Sequence, residues 1–182
     1  MKLHHLRQRL RDLGAAPCHE GRVLRAWAQL RSLDNKHRKA EDFLPLAVRN
    51  ALPGIFAELN GLACVHSEHP GEDGSARLLV QLADGQTVES VLLPRDGMCV
   101  STQVGCAVGC VFCMTGKSGL LRQLSSGEIV AQVVLARSRR AVKKVVFMGM
   151  GEPAHNMDNV LEAIDFLGTE GASAIRIWCS PR

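Results

Sequence analysis

From Ser125 onward the chain alternates one strand-like run with one helix-like run, and that alternation restricts it to folds built on a parallel sheet. Ser125 and Glu128 form a capping-box pattern ahead of a helical face carrying Ile129, Val130, Val133 and Val134. The run KKVVFMGMGEP follows, with the character of a buried strand ending in a glycine turn. A further helical run places Val160, Leu161, Ile164 and Leu167 inward, with Gly168 as its expected stop. Strands joined through helices in one sheet lie parallel, with the helices covering the sheet. The expected fold class is therefore α/β.

Upstream, the apolar period is that of helices. Leu3, Leu6, Leu10 and Leu13 recur at helical spacing, as do Val23, Leu24, Trp27 and Leu30, and Pro45 to Leu52 reads as a third, shorter helix. Residues 66–76 (HSEHPGEDGSA) read as a turn-rich linker. Arg77–Ala83 and Thr87–Leu93 then read as two strands joined by a tight turn at Asp84-Gly85. Val100 lies in a short strand-like piece leading into a cysteine-rich loop. The expected organisation is a helical accessory domain over 1–65, a linker and β-hairpin over 66–96, and an α/β portion over 97–171.

Composition narrows the class of function. No apolar stretch approaches the roughly twenty residues of a membrane span. The N-terminus breaks its apolar positions with charges at every turn, unlike a signal peptide, so a cytoplasmic protein without membrane attachment is expected. Residues 1–60 hold eleven Lys and Arg against six Asp and Glu, a balance of +5 that suits a polyanion and equally a solvated helical surface. Seven cysteines in such a chain point to metal or redox chemistry rather than to disulfides.

Three of those cysteines, Cys106, Cys110 and Cys113, fall within eight residues in CAVGCVFC, flanked by Gly105 and Gly109. Three thiolates can ligate three irons of a polynuclear cluster and leave a fourth open. A structural zinc site would want a fourth ligand at comparable spacing, and no second CxxC or HxxxH pair is present, although Cys99 or a histidine could serve. Three buried cysteines without a ligand are the remaining alternative.

CxxxCxxC with an aromatic residue before its last cysteine resembles the radical S-adenosylmethionine (SAM) superfamily. TVESVLLP, MCVSTQVGCAVGCVFCMTG and VVFMGMGEPAHNMDNV resemble one branch more closely, the RlmN/Cfr family of RNA adenine methyltransferases, from about Arg77 to Gly171. The resemblance implies the first part of a partial (β/α)6 barrel over 97–171. It implies a [4Fe-4S] cluster on Cys106, Cys110 and Cys113, and SAM bound to that cluster. Gly151 and Glu152 match the segment holding the methionine amino group. A glycine turn lets backbone approach a ligand, and a carboxylate accepts from an ammonium. Cys99 matches a cysteine that resolves a protein–RNA link by thiolate attack, and Glu89 matches an acid that positions the target adenine and accepts a proton. The implied reaction is methylation at C2 of an adenosine in 23S rRNA with two SAM molecules, with tRNA as a further substrate and a flavodoxin-like electron donor as partner. C2 is favoured over the C8 chemistry of Cfr-type enzymes because the motif text is closer to the C2 branch.

The sequence also departs from the family. The family's chains run to about twice this length, and their methyl-carrying cysteine has no counterpart here. Residues 172–182 (ASAIRIWCSPR) do not follow the family pattern and read as an out-of-frame tail, since one permitted codon path yields IGHPHLVFST in another frame. The alternative reading is therefore an inactive truncated remnant that binds at most the cluster and SAM. Part of a barrel also implies an unpaired strand edge and exposed apolar helix faces, hence low solubility or dependence on a partner. Cys18, Cys64 and Cys179 receive no role.

Overall fold

A computed structural model describes residues 1–34 and 39–171, together with the backbone of 174–175. In chain order it contains α1 (Leu3–Asp12), α2 (Pro17–Ala28), α3 (Leu46–Asn60), β1 (Ala63–Pro70), β2 (Ala76–Leu82), β3 (Thr87–Leu93), β4 (Gly97–Cys99), β5 (Gln103–Gly105), β6 (Leu120–Gln123), α4 (Ser126–Arg137), β7 (Lys144–Val146), α5 (Met157–Thr169) and β8 (Ala174–Ile175). Apart from β8, the tail at 172–182, Cys179 included, lies outside the described residues.

Six strands form one mixed sheet in the order β1-β2-β3-β4-β7-β8. The first four pair antiparallel, and β4, β7 and β8 pair parallel. Strands β5 and β6 form a separate two-stranded arm. The expected α/β fold is present, with a turn at Asp84-Gly85 between β2 and β3 where Gly85 takes a positive φ of 83°. That turn is closed by Gly85 N–H donating to the Leu82 carbonyl at 2.9 Å.

Four local expectations are corrected. Residues 66–70 belong to β1 rather than to a linker, and only 71–75 turn the chain. An edge strand with one solvated side needs no strict apolar alternation, and a register shift between Val65 and Ser67 breaks what alternation remains. Helix α3 continues past Leu52 to Asn60 with Pro53 inside it. Val48, Leu52, Ile55 and Leu59 bury one continuous face, while Pro53 sits on the exposed face, where its missing N–H costs least. In α5 the buried residues are Val160, Ala163, Phe166 and Leu167, whereas Leu161 is 52% exposed. The same helix runs through Gly168 to Thr169.

Helix α4 is the hub, buried on nearly every side between the sheet and α2, α3 and α5. Its start is fixed by the expected capping box: Ser125 N–H donates to Glu128 Oε2 at 2.8 Å, and Glu128 N–H donates back to Ser125 Oγ. The N-terminal segment docks on the same turn. The Met1 amino group donates to Ser125 Oγ at 3.0 Å, and Gly127 N–H donates to the Met1 carbonyl at 3.1 Å. A Cβ on Gly127 would stand 2.6 Å from that carbonyl oxygen, so the approach requires glycine. Farther along, buried Glu20 on α2 pairs with Arg11 of α1 at 2.8 Å, and Glu170 pairs with Arg25 of α2 at 3.1 Å. One buried apolar cluster thus runs from Leu3 through the sheet to Leu167.

Glu128 also receives Arg122, whose Nη2 donates to Oε1 at 2.7 Å while its Nε donates to Asp84 at 2.7 Å. Burial alone would raise the Glu128 carboxyl, but the bonds from Arg122 and Ser125 outweigh it and hold the group below its ordinary value. Its stabilising contribution is therefore complete at neutral pH. It is lost as pH falls through the ordinary glutamate value, about 4.3, towards the folded value. E128Q is expected to lower stability at pH 7 by about 1–3 kcal/mol and to flatten the acid limb, as measured by urea unfolding across pH.

Candidate functional site

The parallel strands β4 and β7 end at the same edge of the sheet, where α/β sheets place their ligands. The chain leaves β4 into the cysteine loop and leaves β7 into the glycine turn Gly149–Glu152. The turn lies against the start of the loop: Gly149 N–H donates to the Val100 carbonyl at 3.0 Å, and Thr102 N–H donates to the Met150 carbonyl at 2.8 Å. A Cβ on Gly149 would come within 2.8 Å of the Val100 backbone, so the sequence needs a glycine there.

The cysteine loop is pinched at its neck by the β5–β6 arm. Gly105 takes a φ of 77°, and a Cβ on it would stand 2.0 Å from the Gly119 carbonyl oxygen, which accepts from Cys106 N–H at 3.0 Å. Cys106 and Cys113 are half-buried and Cys110 is exposed. Cys106 Sγ accepts from Val108 N–H at 3.5 Å. Bonds from the Thr115 hydroxyl and amide, with a further one from the Gly116 amide, draw the Cys113 thiol below its ordinary value. Val111 and Phe112, between the second and third cysteines, stand almost wholly in solvent.

Glu89 and Cys99 lie on the sheet face away from α4. Val91 pairs with Cys99, so Glu89 occupies the same face two residues along, while Ser90 turns the other way to donate to Gln132 of α4 at 2.8 Å. Glu89 N–H donates to Met150 Sδ at 3.3 Å, and its carboxylate pairs with Arg77 at 3.3 Å. Cys99 is buried, and burial pushes its thiol above the ordinary value despite a bond from the Met148 backbone. Gly151, with a φ of 96°, packs on the Gln103 side chain, whose Oε1 accepts from Glu152 N–H at 2.8 Å. The Glu152 carboxylate accepts from Ala154 N–H at 3.2 Å, capping a 3-10 turn over Pro153–Asn156. The seven residues picked from sequence thus fall in three adjoining segments of one sheet edge: Glu89 and Cys99 on the strands, the cysteine loop, and the Gly151–Glu152 turn.

Residues 100–179 match the radical SAM superfamily. A probable RNA methyltransferase from Thiobacillus denitrificans is 81% identical over 171 residues, covering 94% of this chain and 47% of that protein. Proteins of the same description from Azoarcus and from Pseudomonas aeruginosa are 76% and 72% identical, over 49% and 50% of their lengths. The crystal structure of a radical SAM methyltransferase from Sphaerobacter thermophilus superimposes with a TM-score of 0.70 at 34% identity, covering 97% of this chain and 55% of that one. Residues 100–179 thus carry the radical SAM pattern within this chain. It spans about half the length of the curated relatives it matches.

A radical SAM cluster can be tested against the donor set. Among the described residues no three His, Cys, Asp or Glu side chains converge on a single ion, as a tetrahedral zinc site would require. A [4Fe-4S] cluster takes each thiolate on a different iron, so its ligands stand apart around a larger body. Three thiols on a loop closed at its neck, two half-buried and one exposed, can each face a different iron. Cys106, Cys110 and Cys113 are the residues that would hold it.

Several residues at this radical SAM edge were not picked out from the sequence. Ser101, Thr102 and Gln103 are all buried, and Gln132 and Asn156 are buried with them. Asn156 Nδ2 donates to the carbonyls of Thr102 and Leu124, both at 2.8 Å, joining the two ends of the cysteine loop. The available signal was three consecutive polar residues, STQ, between apolar Val100 and Val104. G105A is expected to cost about 1–3 kcal/mol through the positive φ and the carbonyl clash, read as a lowered melting temperature. An unchanged melting temperature would show that the neck yields.

Proposed function

We propose that this chain carries the cofactor-binding part of a radical SAM RNA methyltransferase of the RlmN/Cfr type, acting at C2 of an adenosine in 23S rRNA. The observation that carries the reading is the meeting of the CxxxCxxC loop with the MGMGEP turn at one sheet edge, with Glu89 and Cys99 on the strands beside them. The names of the relatives supply the substrate class, and the motif text supplies the branch. Transfer RNA is a second substrate in this reading, a flavodoxin-like protein the electron donor, and the cytoplasm the place of action.

When bound, a reduced [4Fe-4S] cluster and SAM supply the radical chemistry. Cys106, Cys110 and Cys113 would hold the cluster as thiolates. The Glu152 segment takes the methionine ammonium, with Gly151 admitting the ligand close to the backbone. Glu89, on the open sheet face, holds the adenine and accepts its proton at a carboxylate oxygen. Arg77 beside it, at 3.3 Å, keeps that oxygen oriented. Cys99 takes the resolving role: its thiolate attacks the sulfur of the methylated cysteine that links protein to RNA, forming an S–S bond as that sulfur's bond to the RNA-borne carbon breaks, and its buried thiol must first lose its proton.

The test is anaerobic reconstitution of the full chain with iron and sulfide. The expected result is visible iron–sulfur absorption, release of 5′-deoxyadenosine from SAM after reduction, and loss of both in C106A, C110A and C113A. C99A and E89Q are expected to retain the absorption and the deoxyadenosine release. Methylation of a 23S rRNA fragment, followed by mass spectrometry, reads the complete reaction. Deoxyadenosine release without methylation would assign the chain to the cofactor half-reaction alone, and one bound zinc without visible absorption would sink the proposal.

A further inference from the structure

Gln103 is fully buried between the cysteine loop and the Gly151–Glu152 turn, and its carboxamide is part of a directed chain of hydrogen bonds. Glu152 N–H donates to Gln103 Oε1 at 2.8 Å, and Gln103 Nε2 donates to Gln123 Oε1 at 2.8 Å. Gln123 Nε2 then donates to the His155 carbonyl at 2.9 Å. The chain leaves the post-β7 segment at residue 152 and returns to it at residue 155. On the way it crosses β5 and β6, the two strands that form the neck of the cysteine loop.

The direction of this chain is fixed at both ends. Glu152 N–H can only donate and the His155 carbonyl can only accept, so neither glutamine can flip its amide without facing donor to donor or acceptor to acceptor. Backbone bonds reinforce the contact, since Gln103 N–H donates to the Met150 carbonyl at 3.3 Å. The fit is also steric: a Cβ on Gly151 would stand 2.5 Å from Gln103 Cβ and 2.8 Å from its Oε1. Gly151 and Gln103 therefore occupy one space, each sized to the other.

We propose that Gln103 is a positioning residue that sets the offset between the cluster-bearing loop and the turn receiving the methionine end of SAM. Cys106 follows Gln103 by three residues on the same strand-to-loop passage, so a shift of Gln103 moves the first cysteine relative to Glu152. Gln103 touches neither the cluster nor the cofactor in this role. It acts through the Glu152 amide and through the loop neck. The proposal rests on the reading of the turn as the methionine cradle.

The test uses the full chain in two forms. In the apoprotein, amide exchange at Glu152 is followed by NMR. In the cluster-loaded chain, SAM affinity is measured by titration, and the reduced-cluster EPR signal is recorded with and without SAM. Q103M keeps the volume and removes the acceptor. It is expected to exchange the Glu152 amide about tenfold faster and to bind SAM about tenfold more weakly, with an unchanged circular dichroism spectrum. Q123M leaves the Glu152 acceptor in place and is expected to stay within about threefold of wild type in both measurements. Q103E offers an oxygen to the same N–H, while Gln123 must turn its amide to donate to the second oxygen and gives up only its solvent-exposed bond to the His155 carbonyl; slow exchange and SAM affinity are expected to return together to within about threefold of wild type, which tests the proposal even where Q103M fails to fold. Unchanged exchange in Q103M, faster exchange with full SAM affinity, or slow exchange with weak SAM binding in Q103E overturns the proposal alone. A wild-type cluster-loaded chain that binds no SAM, and shows no change in its EPR signal on adding SAM, overturns the functional reading as well.

Discussion

The carboxamide of Gln132 joins the central helix to the ligand edge of the sheet, and all four of its hydrogen-bonding positions are filled. Its Oε1 accepts from Ser90 Oγ at 2.8 Å and from Ser101 N–H at 2.9 Å. Its Nε2 donates to the Ser101 carbonyl at 3.0 Å and to the Glu128 carbonyl of the preceding helical turn at 3.3 Å. A buried amide left half-satisfied would cost the fold about 1–3 kcal/mol, so this one admits a single arrangement of its neighbours. That arrangement fixes Ser101 where the chain leaves β4. Everything beyond it, from the cysteine loop to the turn after β7, takes its position from that residue.

The consequence propagates through Ser101 itself. Its hydroxyl donates to the Glu89 carbonyl and accepts from Met150 N–H at 2.7 Å, so one side chain ties β3 to the post-β7 turn. Two residues on, Gln103 repeats the device toward Glu152, and Asn156 closes the far side by holding Thr102 and Leu124. Ser101, Gln103 and Asn156 thus do in polar contacts what Leu and Val do for the helices. Apolar packing tolerates small slides, whereas a hydrogen bond loses its strength within a few tenths of an ångström.

How much of this was legible in the sequence follows from how local each cause is. The capping box at Ser125 and Glu128 and the turn at Asp84-Gly85 were legible because their partners lie within a few residues. The cysteine loop and the Gly151–Glu152 turn were legible as motifs because their chemistry forces the spacing. Strand β1 was missed because an edge strand can be polar throughout, and the end of α3 because a buried face overrode Pro53. Leu161 was misassigned because inward-facing positions at i, i+3 and i+4 shift by one residue when Ala163 and Phe166 take the interior. Gln103, Gln132 and Asn156 were hidden for a different reason. The partners that tie them to the ligand edge lie 20 to 54 residues away, and no local pattern distinguishes a buried glutamine from a solvated one.

The two halves of the molecule are held by different forces, and the difference suits the chemistry. The N-terminal helices dock through ion pairs, Glu20 with Arg11 and Glu170 with Arg25, on surfaces remote from the ligand edge. The ligand edge is held largely by neutral groups: two glutamines on the loop neck, one on α4, a serine and an asparagine, with the Arg122–Glu128 ion pair where β6 meets the start of α4. A buried formal charge in any of these places would act through a weakly screening interior on Cys99 and on the cysteines of the loop. It would shift their proton affinities by amounts unrelated to the reaction. Neutral amides fix geometry while adding only dipoles. The Cys99 thiol is accordingly shifted upward by burial, against one backbone bond, and the Arg77–Glu89 ion pair on this face stands beside Val91, the residue paired with Cys99.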